Sequence, residues 1–399
     1  MMQKIALSLL SLSLTGLLVN VACAANAKTV RSTPASVNNG AESTDASSSG
    51  GSAMDPKDDK RPAKTDDVNA TLRGYADKYD FMVGSVFQHR FFDDPGFQKT
   101  FSKEFNWGVS IVFPQFTEPE RGRFEFRAMD ADMAFARQHD IKLMGHALIY
   151  RNNNPMPWLH FQGDPRCGGW SESELSRILH DHIVGVVRHG GDTYGAWEVV
   201  NEPTAQGGNG CWSRILGTEG LIVKAFRAAR EAAPDKILIL NDTFGQEGVN
   251  RERVDSFFDL VDRCKSQGAP IDMVGVEMHL QAHRLKPNWV DEFHYYLARA
   301  RKSGVKVFVS EMDLYQGPQG SVSDPWETQR QIYYTVARTC LDDSNCKGFF
   351  TWGIADKMTW LRDRPNDVLS DAKPLLFDDD YSRKPAYYGV QQALREGRR

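Results

Sequence analysis

The sequence predicts an α/β protein built as a (β/α)8 TIM barrel, a single domain preceded by an export signal and a disordered linker. Three observations carry that reading. From residue 76 onward, eight short aliphatic or β-branched runs alternate with longer amphipathic ones. The short runs are almost continuously apolar, which is the pattern of parallel strands buried on both faces. Eight repeats between residues 76 and 399 fit the length of a closed barrel. A doubly wound open sheet is the alternative. The chain, however, leaves its first strand through Gln88, His89, Arg90 and Phe91, with none of the glycines of a phosphate-binding turn.

Behind Lys4 the chain is uncharged and apolar from Ile5 to Ala25 and closes in small residues around Ala24 and Ala27. That is the pattern of a secretory signal over residues 1–27, cleaved after Ala27 or Ala24. The small-residue ending weighs against an uncleaved membrane anchor. Asn20 weighs against a lipoprotein anchored at Cys23, because an apolar residue is expected there. The protein is therefore expected to be secreted or periplasmic, with no membrane contact after cleavage. Residues 28–75 follow, and from Lys28 to about Asp67 they are mostly Ser, Gly, Ala, Asn, Asp, Lys and Pro with almost no large apolar side chain. Such a stretch cannot bury enough surface to offset the entropy of ordering, and it reads as a disordered linker. Residues 76–399 are left for the barrel.

The strands are expected at 81–87, 107–113, 142–150, 195–201, 236–242, 272–280, 305–314 and 346–354. Helical periodicity places a short helix near 97–105 and longer ones at 128–140, 171–190, 220–234, 249–268, 287–304 and 325–344, with 385–399 closing the chain. Ser171 or Ser173 is the expected cap of the third of these.

With 48 basic against 52 acidic side chains, the net charge of −4 gives no electrostatic reason to expect nucleic acid or an anionic membrane as partner. An uncharged or weakly charged ligand fits better, and no cofactor is implied. Five cysteines remain once Cys23 leaves with the signal. Cys340 and Cys346 flank a polar turn and are expected to pair; Cys167 and Cys211 are a plausible second pair, which leaves Cys264 free. None has the spacing of a zinc site, so no metal is expected.

A barrel places its chemistry at the C-terminal ends of its strands. There the third strand carries His146, Tyr150 and Arg151, the fourth Asn201, Glu202 and Pro203, and the fifth Asn241 and Asp242. The sixth carries Glu277 and His279, the seventh Glu311 and Asp313, and the eighth Trp352. Glu202 and Glu311 directly follow apolar strands and form a natural pair for glycosidic bond cleavage. One carboxylic acid protonates the leaving oxygen while the other carboxylate attacks carbon or activates water. No Gly-x-Ser-x-Gly elbow, phosphate loop or His-Glu-x-x-His helix competes for the role.

These residues, in this order, resemble glycoside hydrolase family 10, the family of retaining endo-β-1,4-xylanases. The motifs are Trp197 to Pro203 (WEVVNEP), Phe308 to Asp313 (FVSEMD), the strand with Gly145 and His146, Asn241–Asp242, Val274 to His279 (VGVEMH) and Trp352–Gly353. Glu118 to Phe126 (EPERGRFEF) and Lys384 to Tyr387 (KPAY) support it. The resemblance implies Glu202 as acid/base and Glu311 as nucleophile. It implies Asn201 on the sugar 2-hydroxyl, His146 against the sugar next to the scissile bond, and Asn241 and His279 as supports of the two glutamates. Trp352 and Trp360 would wall that subsite.

The departures from the family pattern fall on sugar binding. After the second strand the family presents Glu-Asn and then Lys-Trp, whereas this chain runs Ser110 to Phe116 (SIVFPQF), shorter and without those groups. The third strand normally ends Trp-His-x-Gln, and here it ends Tyr150-Arg151-Asn152-Asn153. Glu277 stands where the family has Gln. Arg151 could meet an acidic sugar substituent, although a solvated loop is the simpler reading. The expected function is retaining cleavage of a xylan-type polysaccharide or oligosaccharide by a monomer. An exo-acting or non-xylan β-glycosidase and, behind it, a non-catalytic carbohydrate-binding barrel are the alternatives.

Overall fold

The computed structural model describes residues 71–398 apart from 151–156, 160–166, 206–207, 364–368 and 370. The expected signal peptide, nearly all of the expected linker, and Arg151 lie outside the described residues. Nine strands are present: β1 (Met82–Val86), β2 (Trp107–Ile111), β3 (Lys142–His146), β4 (Tyr194–Asn201), β5 (Ile237–Thr243), β6 (Met273–Glu277), β7 (His279–Gln281), β8 (Lys306–Tyr315) and β9 (Cys346–Thr351). All pairings between them are parallel, in the order β6-β5-β4-β3-β2-β1-β9-β8. A further pairing of β6 with β8, Val274 opposite Val307, closes the ring. The eight expected strands are thus the eight staves of the barrel.

The strands are apolar on both sides because both sides are buried. Inward, Val86, Val109, Met144, Ala196, Ile239, Met273, Phe308 and Phe350, one from each stave, fill the barrel with side chains. Large and small positions face each other: a Cβ on Gly84 would collide with the Phe350 ring. Outward, the strands meet the apolar faces of the helices, among them Arg127–His139, Glu172–Gly190, Thr218–Ala232, Arg251–Ser266, Trp289–Lys302 and Pro325–Asp342. Ser171 caps its helix through a capping box with Glu174. Among the described residues no helix is long and apolar enough to cross a membrane.

Three features depart from expectation. The fold begins before residue 76: helix Leu72–Ala76 buries Leu72, whose backbone N–H donates to Glu104 Oε2 at 3.0 Å. Residues 71–75 therefore belong to the barrel domain, because one leucine in a polar run suffices when a cavity receives it. The sixth expected strand breaks at Met278, so that β7 leaves β5 and follows β8, with His279 opposite Asp313. After β2 the chain folds into a short helix, Pro114–Thr117, that leaves Phe116 52% exposed.

Both expected disulfides are formed, Cys167–Cys211 and Cys340–Cys346, and Cys264 is a buried free thiol. The Lys384 motif also has a structural explanation. The Lys384 ammonium is buried, 2.7 Å from Asp356 Oδ2, and donates to the carbonyls of Lys373 and Leu375. It ties the last helix, Pro385–Glu396, to the turn Asp356–Met358 that leads to Trp360.

Candidate active site

The site grows from the register of β4, β5 and β6 at the rim. Asn201 ends β4 beside Asn241 of β5, and Asn241 lies beside Gly275 of β6. Only glycine fits at 275, since a Cβ there would collide with the Asn241 amide. Asn241 Nδ2 can therefore swing over β6, and it donates to Asn201 Oδ1 at 2.9 Å, Glu277 Oε1 at 3.0 Å and Glu311 Oε1 at 3.2 Å. One amide joins three strands.

Glu202 follows directly with a φ of 48°, in the left-handed region that costs a non-glycine residue about 1–3 kcal/mol. Its backbone N–H donates to the Asn241 carbonyl at 2.9 Å. The turn beyond is held by buried Asp242, whose Oδ2 accepts from the N–H and hydroxyl of Thr204 at 3.0 and 2.7 Å. Burial pushes the Asp242 carboxyl up to about 6, against those hydrogen bonds. Across the rim, the Tyr150 hydroxyl donates to Glu202 Oε1 at 3.1 Å. Burial and the Glu202 and Glu311 charges push this phenol up, so it stays a donor.

Glu311, on β8, is held from the β7 side. Nε2 of His279 lies 3.1 Å from Glu311 Oε2 and Nδ1 lies 2.9 Å from Asp313 Oδ2, which also accepts from Trp360 Nε1 at 2.7 Å. Burial opposes a charge on His279, but Asp313 and Glu311 outweigh it and raise the imidazole well above its ordinary value. The Trp360 ring lies 5.2 Å from His279, and the Trp352 ring lies 6.4 Å from His279 and 5.0 Å from His146. His146 itself is 1% exposed, with Nδ1 2.9 Å from Glu198 Oε1. Burial pushes Glu198 up to about 7 against the pull of His146. His146 is likewise raised, since Glu198, Glu311 and Glu202 outweigh its burial.

The structure thus brings together Glu202, Glu311, Asn201, Asn241, Glu277, His279, His146, Tyr150, Trp352 and Trp360. Sequence reasoning passed over Glu198, which braces His146, and gave no role to Asp313, which orients both His279 and Trp360. Both left a signal: a carboxylate inside an apolar strand needs a partner. Among the described residues, two clusters have ligand atoms within 4.8 Å of one another, His146 with Glu198 and Glu311, and Glu277 with His279 and Glu311. A cation at either would have to displace the His146–Glu198 or His279–Glu311 pairing.

On β2, Ser110 turns outward, to Asp132 of the helix Arg127–His139 and to Tyr194, at 2.6 and 2.7 Å. The rim there is aromatic, with Phe113 packed against Phe116, His146 and Tyr150.

A parallel barrel whose C-terminal rim gathers two glutamates, each oriented by its own network, has the site of a barrel glycosidase. Residues 71–393 match the family model of Glycosyl hydrolase family 10, and the chain belongs to that family. Endo-1,4-beta-xylanase B of Thermotoga neapolitana is 30% identical over 337 residues, which cover 82% of this chain and 92% of the relative. Native xylanase 10B from Thermotoga maritima superposes with a TM-score of 0.71 at 30% identity, covering 82% of this chain and 98% of its own. Xylanase 10B from Thermotoga petrophila, solved in complex with xylobiose, gives a TM-score of 0.71 at 29% identity, covering 82% and 97%.

Proposed function

We propose that this chain is an exported, monomeric retaining hydrolase that cleaves β-1,4-linked xylan by double displacement, with Glu202 as acid/base and Glu311 as nucleophile. The observation that carries the reading is the Asn241 amide, which hydrogen-bonds both Glu311 and Asn201, the neighbour of Glu202. In the first step the Glu311 carboxylate attacks the anomeric carbon, the glycosidic C–O bond breaks, and Glu202 gives its proton to the leaving oxygen. In the second, Glu202 takes a proton from water, which attacks the glycosyl ester and frees Glu311. His279, held by Asp313, aligns Glu311; Asn201 meets the sugar 2-hydroxyl; Trp352 and Trp360 pack the sugar. Xylan is the substrate class because the relatives named above are xylanases. The apolar run from Ile5 to Ala25 behind Lys4 and the two disulfides support export.

Product analysis on unsubstituted xylan and glucuronoxylan in parallel, with Glu311→Ala as blank, tests this. Short oligomers absent from the blank are expected. The aromatic rim of Phe113 and Phe116 favours one second reading, a retaining β-glycosidase of altered specificity. Release of single sugars, or cleavage of aryl glycosides with no product from either xylan, would establish that reading in place of the first.

A further inference from the structure

Glu277 ends β6 with its carboxyl 3% exposed. Around it stand Glu311 of β8, Glu202 after β4, Asn241 and Asp242 of β5, His279 of β7, Tyr150 after β3 and Tyr296 of the helix Trp289–Lys302. The charges and hydrogens in this shell can be counted. His279, the cation, is shared between Asp313 and Glu311. The Asn241 amide has two hydrogens for three acceptors, Asn201 Oδ1, Glu277 Oε1 and Glu311 Oε1. If Glu277 were ionised, a second buried negative charge would stand beside Glu311, and the two hydrogens of one amide would have to serve two carboxylates as well as Asn201.

We propose that Glu277 is a substrate-binding residue that works as a neutral carboxylic acid: holding its proton leaves Glu311 the sole carboxylate to be served there and gives the bound sugar a donor. Burial, reinforced by Glu311 and Glu202, pushes this carboxyl well above the ordinary range, with His279 opposing. Ionisation as pH rises converts the donor into an acceptor, so substrate affinity falls and KM rises while kcat falls less. The donor role rests on the hydrolase reading above; the proton does not.

Glu277→Gln keeps shape and a donor but cannot ionise. On an aryl β-xylobioside its KM is expected to lose the rise with pH that wild type shows. Infrared difference spectra of substrate-free protein should show one protonated-carboxyl band fewer in the variant, and the wild-type band should titrate well above the ordinary carboxylate range. A KM profile that overlays wild type, a folded Glu277→Gln with at least hundredfold lower kcat/KM at every pH, or unchanged infrared bands would each overturn the proposal. If wild type hydrolyses nothing, the hydrolase reading fails, and the infrared titration still decides whether Glu277 holds a proton.

Discussion

Tyr150 shows what one hydroxyl can do at this rim. Its phenol donates to Glu202 Oε1 at 3.1 Å and restrains a side chain whose backbone already sits at a φ of 48°. A hydrogen bond to a charged group is worth about 1.5–3 kcal/mol, so Tyr150→Phe should lower kcat/KM roughly 10- to 100-fold with the fold intact. Steady-state kinetics on xylo-oligosaccharides check it, and an unchanged value would remove Tyr150 from the machinery. Glu202→Ala separates roles further. On substrates whose leaving group needs protonation, kcat/KM should fall about 10²–10⁴-fold; for an activated aryl glycoside, glycosylation should fall far less. Equal losses on both would contradict an acid role. At this scale the sequence was legible where chemistry and position coincide, as with Glu202 and Glu311 at strand ends. It was silent about partners: nothing in the order of residues says that His146 meets Glu198 or that Trp360 meets Asp313, because those contacts are made by the pairing of strands and the packing of the loop after β9.

Among the elements, every expected strand became a stave, since eight near-continuous apolar runs have few other ways to be buried. The break at Met278 had no such signature. Local periodicity runs straight through it, and the chain bends only because β7 pairs with β8. The helix Pro114–Thr117 was equally hidden, being too short for a period to show. The Lys384–Asp356 pair belongs to this scale too, because it fastens the last helix to the turn that carries the chain to Trp360. Removing one member of a buried ion pair strands the other, so Lys384→Met should cost about 3–5 kcal/mol in urea unfolding and raise KM as Trp360 loosens. Lys384→Met with Asp356→Leu should recover much of the stability. No recovery would mean that the lysine acts through its bonds to the Lys373 and Leu375 carbonyls.

The molecule as a whole holds an unusual store of buried acids, and their combined titration sets how its stability depends on pH. Glu198 is pushed by burial to about 7, and Asp242 and Asp356 to about 6. Asp132 and Glu277 are raised by burial as well. A carboxyl whose folded value lies above its unfolded one binds its proton more tightly in the native state. Its contribution is complete below about pH 4 and is lost as pH rises through the folded value. His146 and His279 are also raised and act with the same sign at higher pH. Asp94 and Glu327, held at about 2 by partners that include Tyr381 and Arg330, act oppositely. They stabilise above about pH 4 and lose that contribution in acid, but both are substantially exposed and weigh less. Stability should therefore peak near pH 4 and decline toward pH 8, where a net loss of about 2 kcal/mol would lower Tm by roughly 3–5 °C. Calorimetric scans from pH 4 to 8 measure this directly. Glu198→Gln should flatten the decline by removing one titrating group, and a Tm that climbs steadily to pH 8 would show that the buried carboxylates are not held in their acid forms.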